Sequence, residues 1–330
     1  MKYLILYIAS LVTGSAGAWL IVRWGSGFGL LDKANHRSSH KGVVPKGGGI
    51  GILAAFLLAS WVLGLPILFW VCASIVSLLS FYGDFREISP KVRLSIQLLG
   101  SVGLLFGLFY WEGRGVSVYL LIPFFAVFVA GTANYYNFMD GINGIAGITG
   151  IVGFGLVAWF AALSGSPSSF LILALCMGLA CMGFLPFNMP KAYVFMGDVG
   201  SVFLGFVFAG LVVGLSYSFN DFVVLCAFLF PFYADEVITM YARLRNGENL
   251  LKPHRRHLYQ LLVNEMRMDH WKVSAVYGSL QLVVGIGAVS LRGYGNLAVV
   301  VFLSCCFAGF AVVSYFVRRR LKKLEVLEVV

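Results

Sequence analysis

Long apolar runs alternate with short polar interruptions along the chain up to about residue 317. Eleven such runs of roughly 17–22 residues lie near positions 3–22, 48–64, 67–83, 94–110, 120–138, 146–164, 169–187, 200–217, 222–240, 274–291 and 297–317. At about 1.5 Å per residue, helices of this length cross the hydrocarbon core of a bilayer. The pattern predicts an all-α, polytopic integral membrane protein of about 11 transmembrane helices (10–11), one domain over residues 1–330. Glycine and proline interrupt many runs, which membrane helices tolerate when neighbours shield the backbone. Ser15-Ala16-Gly17-Ala18 has the small residues of a signal-peptide cleavage site. The run continues past it to Val22 and meets a basic loop, so an uncleaved first span is expected.

Composition agrees with the pattern. Hydrophobic residues make up 60% of the chain and charged residues 12%, with a mean hydropathy of +0.89, which excludes a soluble domain. The net charge of +10 is unevenly placed. With the N-terminus outside and the C-terminus cytoplasmic, only Lys2, Arg114 and Arg292 of the 24 basic residues fall outside. The other 21 then sit in cytoplasmic stretches at 23–47, 84–93, 188–199, 241–273 and 318–330, the orientation favoured by the positive-inside rule. One basic membrane face suits anionic lipids or phosphate-bearing substrates. No soluble basic domain exists for nucleic acid. All six cysteines (72, 176, 181, 226, 305 and 306) fall within predicted spans without metal or redox spacing.

Five polar stretches carry candidate chemistry, all on the predicted cytoplasmic face. The most informative is Asn134-Tyr-Tyr-Asn-Phe-Met-Asp-Gly-Ile-Asn-Gly, around 139–145, where one span ends and the next begins. Asn134 and Asn137 are one helical turn apart, and Asp140 lies one turn further if the helix continues. A carboxylate at such a place is costly and marks a functional site by default, although Asp-Gly and Asn-Gly are also turn pairs. The first loop offers Lys33, Arg37, Lys41 and Lys46 to anionic oxygens. Gly47, Gly48 and Gly49 follow and would let backbone N–H groups approach phosphate. Asp84 sits at the end of a span, where the helix dipole disfavours an anion and a cation is expected nearby. Asp198, between two glycines before another span, is placed to cap that helix, to serve chemistry, or both. His254 and His257 flank Arg255 and Arg256; these donors fit phosphate oxygens better than zinc, for which no third soft ligand is near. An interfacial amphipathic helix is the alternative for that stretch. The tail after Arg318 reads as a basic anchor.

Three carboxylates beside two basic loops suit a magnesium–pyrophosphate substrate, because magnesium is usually held by one or two carboxylates plus phosphate oxygens. A membrane-surface site points to phosphoryl transfer between a soluble and a lipid-borne substrate. Pro45-Lys-Gly-Gly-Gly, Gly83-Asp-Phe-Arg, the Asn134 stretch, Phe195-Met-Gly-Asp-Val-Gly-Ser, Asp235 and His254-Arg-Arg-His-Leu-Tyr-Gln together resemble the polyprenyl-phosphate N-acetylhexosamine-1-phosphate transferase family. The histidine stretch resembles the branch that initiates O-antigen and related surface polysaccharides.

The resemblance implies a bacterial inner-membrane enzyme with a cytoplasmic site. It implies Mg²⁺ (with Mn²⁺ an alternative), a UDP-N-acetylhexosamine and undecaprenyl phosphate, giving the lipid-linked sugar pyrophosphate and UMP. It also implies catalytic roles for Asp84, Asp140 and Asp198, with Asp198 and Asp140 as metal ligands. Lys46, Asn134, Asn137, Asn143, His254, Arg255, Arg256 and His257 would bind substrate, and a homodimer is left open. The chain departs from the family where Gly83-Asp84 replaces a usual pair of acids and Asn143 a usual Asp. Those departures keep a catalytically impaired paralogue as one alternative. A secondary transporter of an anionic substrate is another, although it would place its ionisable groups mid-span.

Overall fold

The computed structural model describes residues 2–33, 39, 42–86, 88–249 and 254–328; Arg37, Lys41 and Lys252 lie outside this set. Among the described residues α1 (Lys2–Trp24) leads into a two-stranded antiparallel hairpin, β1 (Leu31–Lys33) and β2 (Val43–Pro45). There follow α2 (Ile50–Leu63), α3 (Ile67–Phe85), α4 (Pro90–Trp111), the short α5 (Val116–Tyr119), α6 (Ile122–Phe138), α7 (Ile145–Leu163) and α8 (Ser168–Phe184). The chain continues through α9 (Asp198–Leu215), α10 (Phe219–Cys226), α11 (Phe230–Arg245), α12 (Leu258–Asn264), α13 (His270–Leu291) and α14 (Asn296–Glu328).

Every predicted run is helical. Nine helical segments among the described residues are long and apolar enough to cross a membrane. Two of the eleven expected spans are shorter, α2 with 14 residues and α6 with 17. Local chemistry sets these limits. Gly64 ends α2 in the left-handed conformation at φ +63°, its N–H reaching back to Ser60 and Trp61 carbonyls. Ser89 caps α4, accepting from the Val92 N–H at 3.3 Å with Pro90 in the first turn.

The bundle is organised around α9, whose residues from Val199 to Leu215 are all buried. It packs on α2, α3, α4, α6 and α7. A Cβ at Gly205 would stand 2.7 Å from the Thr132 carbonyl oxygen, so glycine there lets α6 approach closely. The span expected at 222–240 is broken in two by a 3₁₀ turn at Ala227–Leu229, with Pro231 just after it. The break frees backbone carbonyls inside the bundle. Buried Gln281 of α13 donates to the Phe228 carbonyl at 2.7 Å, supplying what the helix no longer does, and to the Thr149 carbonyl of α7 at 3.0 Å.

Successive spans run in opposite directions, with α10 and α11 together making one, so the connections divide between two faces. The hairpin, the α3–α4, α6–α7 and α8–α9 connections, the α11–α13 connection and the end of α14 share one, the site face. The far face holds Arg114 and Arg292 in structural tasks. Arg114 donates to the Gly214 and Ser216 carbonyls at the end of α9 (2.6 and 2.9 Å), and Arg292 pairs with Asp221 at 2.7 Å. The six cysteines are all free thiols.

Candidate active site

Asp84 is the penultimate residue of α3, and its side chain is only 3% exposed. The expected cation is present: Lys46 Nζ stands 3.4 Å from Asp84 Oδ1. Asp84 Oδ2 is buried with no hydrogen-bond partner among the described residues. Asp198 opens α9, but its side chain does not cap the helix; the cap position belongs to Gly197 at φ +74°. A Cβ on Gly197 would lie 2.7 Å from Gly47 N and 2.8 Å from Asp84 Oδ2, so a side chain there would push the two loops apart. Asp198 instead pairs with the Arg93 guanidinium. That group occupies the space a side chain at Gly83 would need, since a Cβ on Gly83 would meet Arg93 Nη2 at 2.8 Å.

The glycine run does not present its amides to a ligand. Gly47 and Gly48 N–H groups donate to the Phe195 carbonyl (3.1 and 3.0 Å), and Gly49 N–H to the Met196 carbonyl (2.9 Å). A Cβ on Gly49 would meet Gly200 Cα at 2.4 Å. The glycines therefore dock the first loop against the start of α9, carrying Lys46 to Asp84. Sequence spacing missed this because a glycine run permits close approach to backbone as readily as to phosphate.

A second departure concerns Asp140. α6 stops at Phe138 with Met139 capping it, so Asp140 lies beyond the helix rather than one turn further along it. Asn134 Nδ2 donates to buried Gln97 of α4 at 2.6 Å, and Asn137 Oδ1 accepts from Ser201 of α9 at 2.7 Å. Both amides thus tie α6 to its neighbours. Asn188 Oδ1 accepts the Gly144 N–H at 2.6 Å and fixes the turn after Asp140. Burial, then the negative charges of Asp198 and Asp84, hold the Asp140 carboxyl well above the ordinary carboxylate range. Asn143 donates to the Pro190 carbonyl (3.3 Å), and its backbone is held by His270 Nδ1 (3.1 Å) and Ser274 Oγ (2.8 Å). It lines a cavity of about 640 Å³ together with Val44, Pro45, Lys191, Tyr193 and His270.

The basic loop reaches the same place. Residues 254–256 are not helical, and α12 starts only at Leu258, so the two histidines do not share a helical face. Buried Asp235 anchors that start, accepting from the Leu258 and Tyr259 N–H groups (2.8 and 3.3 Å), Tyr277 Oη (2.7 Å) and Thr239 Oγ1 (3.1 Å). Tyr259 Oη then donates to the Phe138 carbonyl at 2.9 Å, joining the histidine segment to the Asp140 turn. The His254 and His257 rings are 4.8 Å apart, and His257 Nε2 lies 3.4 Å from Glu236 Oε2. Burial first, then His257 and Arg243, push the His254 imidazole down to about 4; burial, then Arg318 and Arg243, lower His257 against the pull of Asp235. Arg256 pairs with Glu248, and Arg255 with Glu265 at 3.2 Å.

No three His, Cys, Asp or Glu side chains among the described residues converge closely enough to ligate a metal alone. Magnesium does not need three, because substrate phosphates complete its shell. The unpartnered Asp84 oxygen and the raised Asp140 carboxyl are features a cation would relieve, so the acids present fit magnesium.

The profile of glycosyl transferase family 4 matches residues 66–216. An undecaprenyl-phosphate alpha-N-acetylglucosaminyl 1-phosphate transferase of Salmonella typhi is 30% identical over 261 residues, 71% of this chain and 69% of that protein. The chain belongs to the polyprenyl-phosphate N-acetylhexosamine-1-phosphate transferases, glycosyl transferase family 4. The protein of that name in Escherichia coli K12 is also 30% identical, over 259 residues, with 71% and 69% of the two chains covered. A probable undecaprenyl-phosphate N-acetylglucosaminyl 1-phosphate transferase of Bacillus subtilis is 25% identical over 309 residues, 88% and 86% of the two.

The glycosyl transferase family 4 match runs from just before α3 to the end of α9 and so includes all three carboxylates, Asn134, Asn137 and Asn143. Lys46 and the histidine segment lie outside it and join the site through tertiary contacts. Arg93, Gln97 and His270 were not singled out by sequence reading, and Ser201 and Tyr259 entered it only inside quoted motifs, with no role of their own. Arg93 and Gln97 lie at the start of an apolar run and His270 shortly before one, and their only signal would have been a polar side chain near a span end.

Proposed function

We propose that the protein transfers an N-acetylhexosamine-1-phosphate from a UDP-sugar to undecaprenyl phosphate, yielding the undecaprenyl-pyrophosphate sugar and UMP. We place this reaction on the cytoplasmic face of a bacterial inner membrane, as the first membrane step of O-antigen or related surface-polysaccharide synthesis. The reading rests on one observation above others: Tyr259 links the histidine segment to the Asp140 turn, so acids and phosphate donors occupy one face together. The names of the relatives support the lipid and the transferred group.

A lipid phosphate oxygen attacks the phosphorus that bears the sugar, and the bond from that phosphorus to the oxygen of UMP breaks. Most of a phosphate monoester is already dianionic at pH 7, so the nucleophile needs little help from a base. Asp84, Asp140 and Asp198 would hold Mg²⁺, which when bound supplies charge stabilisation to the phosphoryl oxygens. Lys46, Arg93 and the His254–His257 segment bind and orient the anionic groups, lowering the entropic barrier to in-line attack. Neutral His254 and His257 can each donate one N–H to phosphate at pH 7.

Purified protein, undecaprenyl phosphate, Mg²⁺ and a panel of UDP-N-acetylhexosamines should release UMP with at least one donor, and chelation should stop it. No UMP with any donor would overturn the reading in favour of an impaired paralogue.

A further inference from the structure

The three arginines at positions 318–320 of α14 do not behave alike. Only 17% of the apolar window of α14 is buried, against 33–94% for the other candidate spans, so most of the helix faces outward. Arg319 and Arg320 are exposed, as long cationic side chains at a membrane boundary commonly are. Arg318 turns inward. It continues a stripe at four-residue spacing with Phe310, which meets Phe230 and Tyr277 edge-on, and Ser314, which is fully buried.

The guanidinium of Arg318 has three acceptors. Nε donates to Ser314 Oγ at 3.1 Å, and Nη2 donates to Thr239 Oγ1 at 3.0 Å and to the Arg256 carbonyl at 2.8 Å. Thr239 in turn donates to Asp235, the same carboxylate that holds the Leu258 and Tyr259 N–H groups. The chain is therefore pinned on both sides of His257, by a cation from α14 before it and an anion from α11 after it.

We propose that Arg318 is a positioning residue for the segment 254–257 and, through it, for the diphosphate of the nucleotide donor; this rests on the function proposed above. Arg318 itself makes its bonds to Ser314, Thr239 and a backbone carbonyl. Its effect on the diphosphate comes from fixing where the Arg256 and His257 side chains stand. Letting those groups shift weakens binding by about as much as the charged hydrogen bond that held them.

The test uses the full-length protein in detergent, with UDP as the probe, since UDP carries the diphosphate common to every donor. Arg318→Met should weaken UDP binding about tenfold, in line with loss of a charged hydrogen bond. The apparent KM for undecaprenyl phosphate should stay within about twofold, because the lipid phosphate does not depend on this segment alone. Arg318→Lys, which keeps a charged donor, should recover most of the UDP affinity, and Arg320→Gln should match the wild type. Trypsin should cut after Arg255 and Arg256 several-fold faster in Arg318→Met, with cleavage after Lys272 unchanged. If Arg318→Met does not fold, Arg318→Gln takes its place with the same expectation, because a neutral and shorter side chain does not serve Ser314, Thr239 and the Arg256 carbonyl at once. Unchanged UDP binding, or equal loss of UDP and lipid affinity with unchanged cleavage, overturns the proposal. A wild type that binds no UDP overturns the functional reading instead, and the proteolysis comparison still decides whether Arg318 holds the segment.

Discussion

Gly83 and His254 illustrate how single residues set the chemistry of this face. The Arg93 guanidinium lies where a side chain at position 83 would go, and it pairs with Asp198. Gly83→Asp would place a second carboxylate beside that guanidinium, competing with Asp198 for it. The gain from a base there is small, since at pH 7 ionising a phosphate of pKa about 6 costs under about 0.1 kcal/mol, while tenfold in rate needs about 1.4. Gly83→Asp should therefore equal the wild type or fall below it in UMP release across pH 5.5 to 8.5. An inert wild type rescued by the new acid would refute this. His254 has a folded pKa of about 4, below its ordinary value, so protonation favours unfolding. Its contribution to stability is complete above about pH 6.5 and is lost as pH falls towards 4; the lowered His257 acts in the same sense. Between pH 7 and 4 the thermal midpoint of the wild type should fall relative to that of His254→Asn, a difference in which the opposing contribution of the raised Asp140 carboxyl cancels. A difference between the two that does not change over that interval would contradict the assignment.

At the scale of elements, the broken span of α10 and α11 has the largest consequences. Its 3₁₀ turn leaves the Phe228 carbonyl, which Gln281 serves, and the second half carries Asp235 to the start of α12. Gln281→Leu keeps the volume roughly but removes donors to two buried carbonyls. A loss of roughly 1–2 kcal/mol is expected, somewhat below the value for water-soluble cores because membrane hydrogen bonds are individually modest. Denaturant or thermal unfolding in micelles would measure it, and a variant as stable as the wild type would mean those carbonyls find other partners. Apolar periodicity located this span but could not show the break, because a 3₁₀ turn inside an apolar run changes no hydropathy. For α6 the apolar run located the end at Phe138, but hydropathy could not show that the chain turns there instead of carrying Asp140 on the face of Asn134 and Asn137.

For the whole molecule, the distribution of basic residues predicts which face meets the cytoplasm, and the structure says which loops share a face. Lys191 and Arg255 share the site face, whereas Tyr294, 80% exposed beside Arg292, lies on the far one. In a background without the six native cysteines, Lys191→Cys and Arg255→Cys should resist an impermeant maleimide in intact cells. Tyr294→Cys should react with it. The reverse labelling would invert the topology and place the site outside, where no UDP-sugar would reach it.

The apolar runs, the acids at their ends and the basic loops were all readable in the sequence. Hydropathy over some twenty residues is a local property that the bilayer enforces, and a charge near hydrocarbon is too costly to be casual. The family was legible for the same reason, since its motifs sit in the interruptions. Partnership was not. That Lys46 faces Asp84, Arg93 fills the gap at Gly83, the glycine run binds backbone instead of ligand, and Arg318 reaches residue 256 all depend on helices far apart in sequence. These contacts arise when close packing around α9 brings the loops together, and no local pattern encodes which side chain meets which across the bundle.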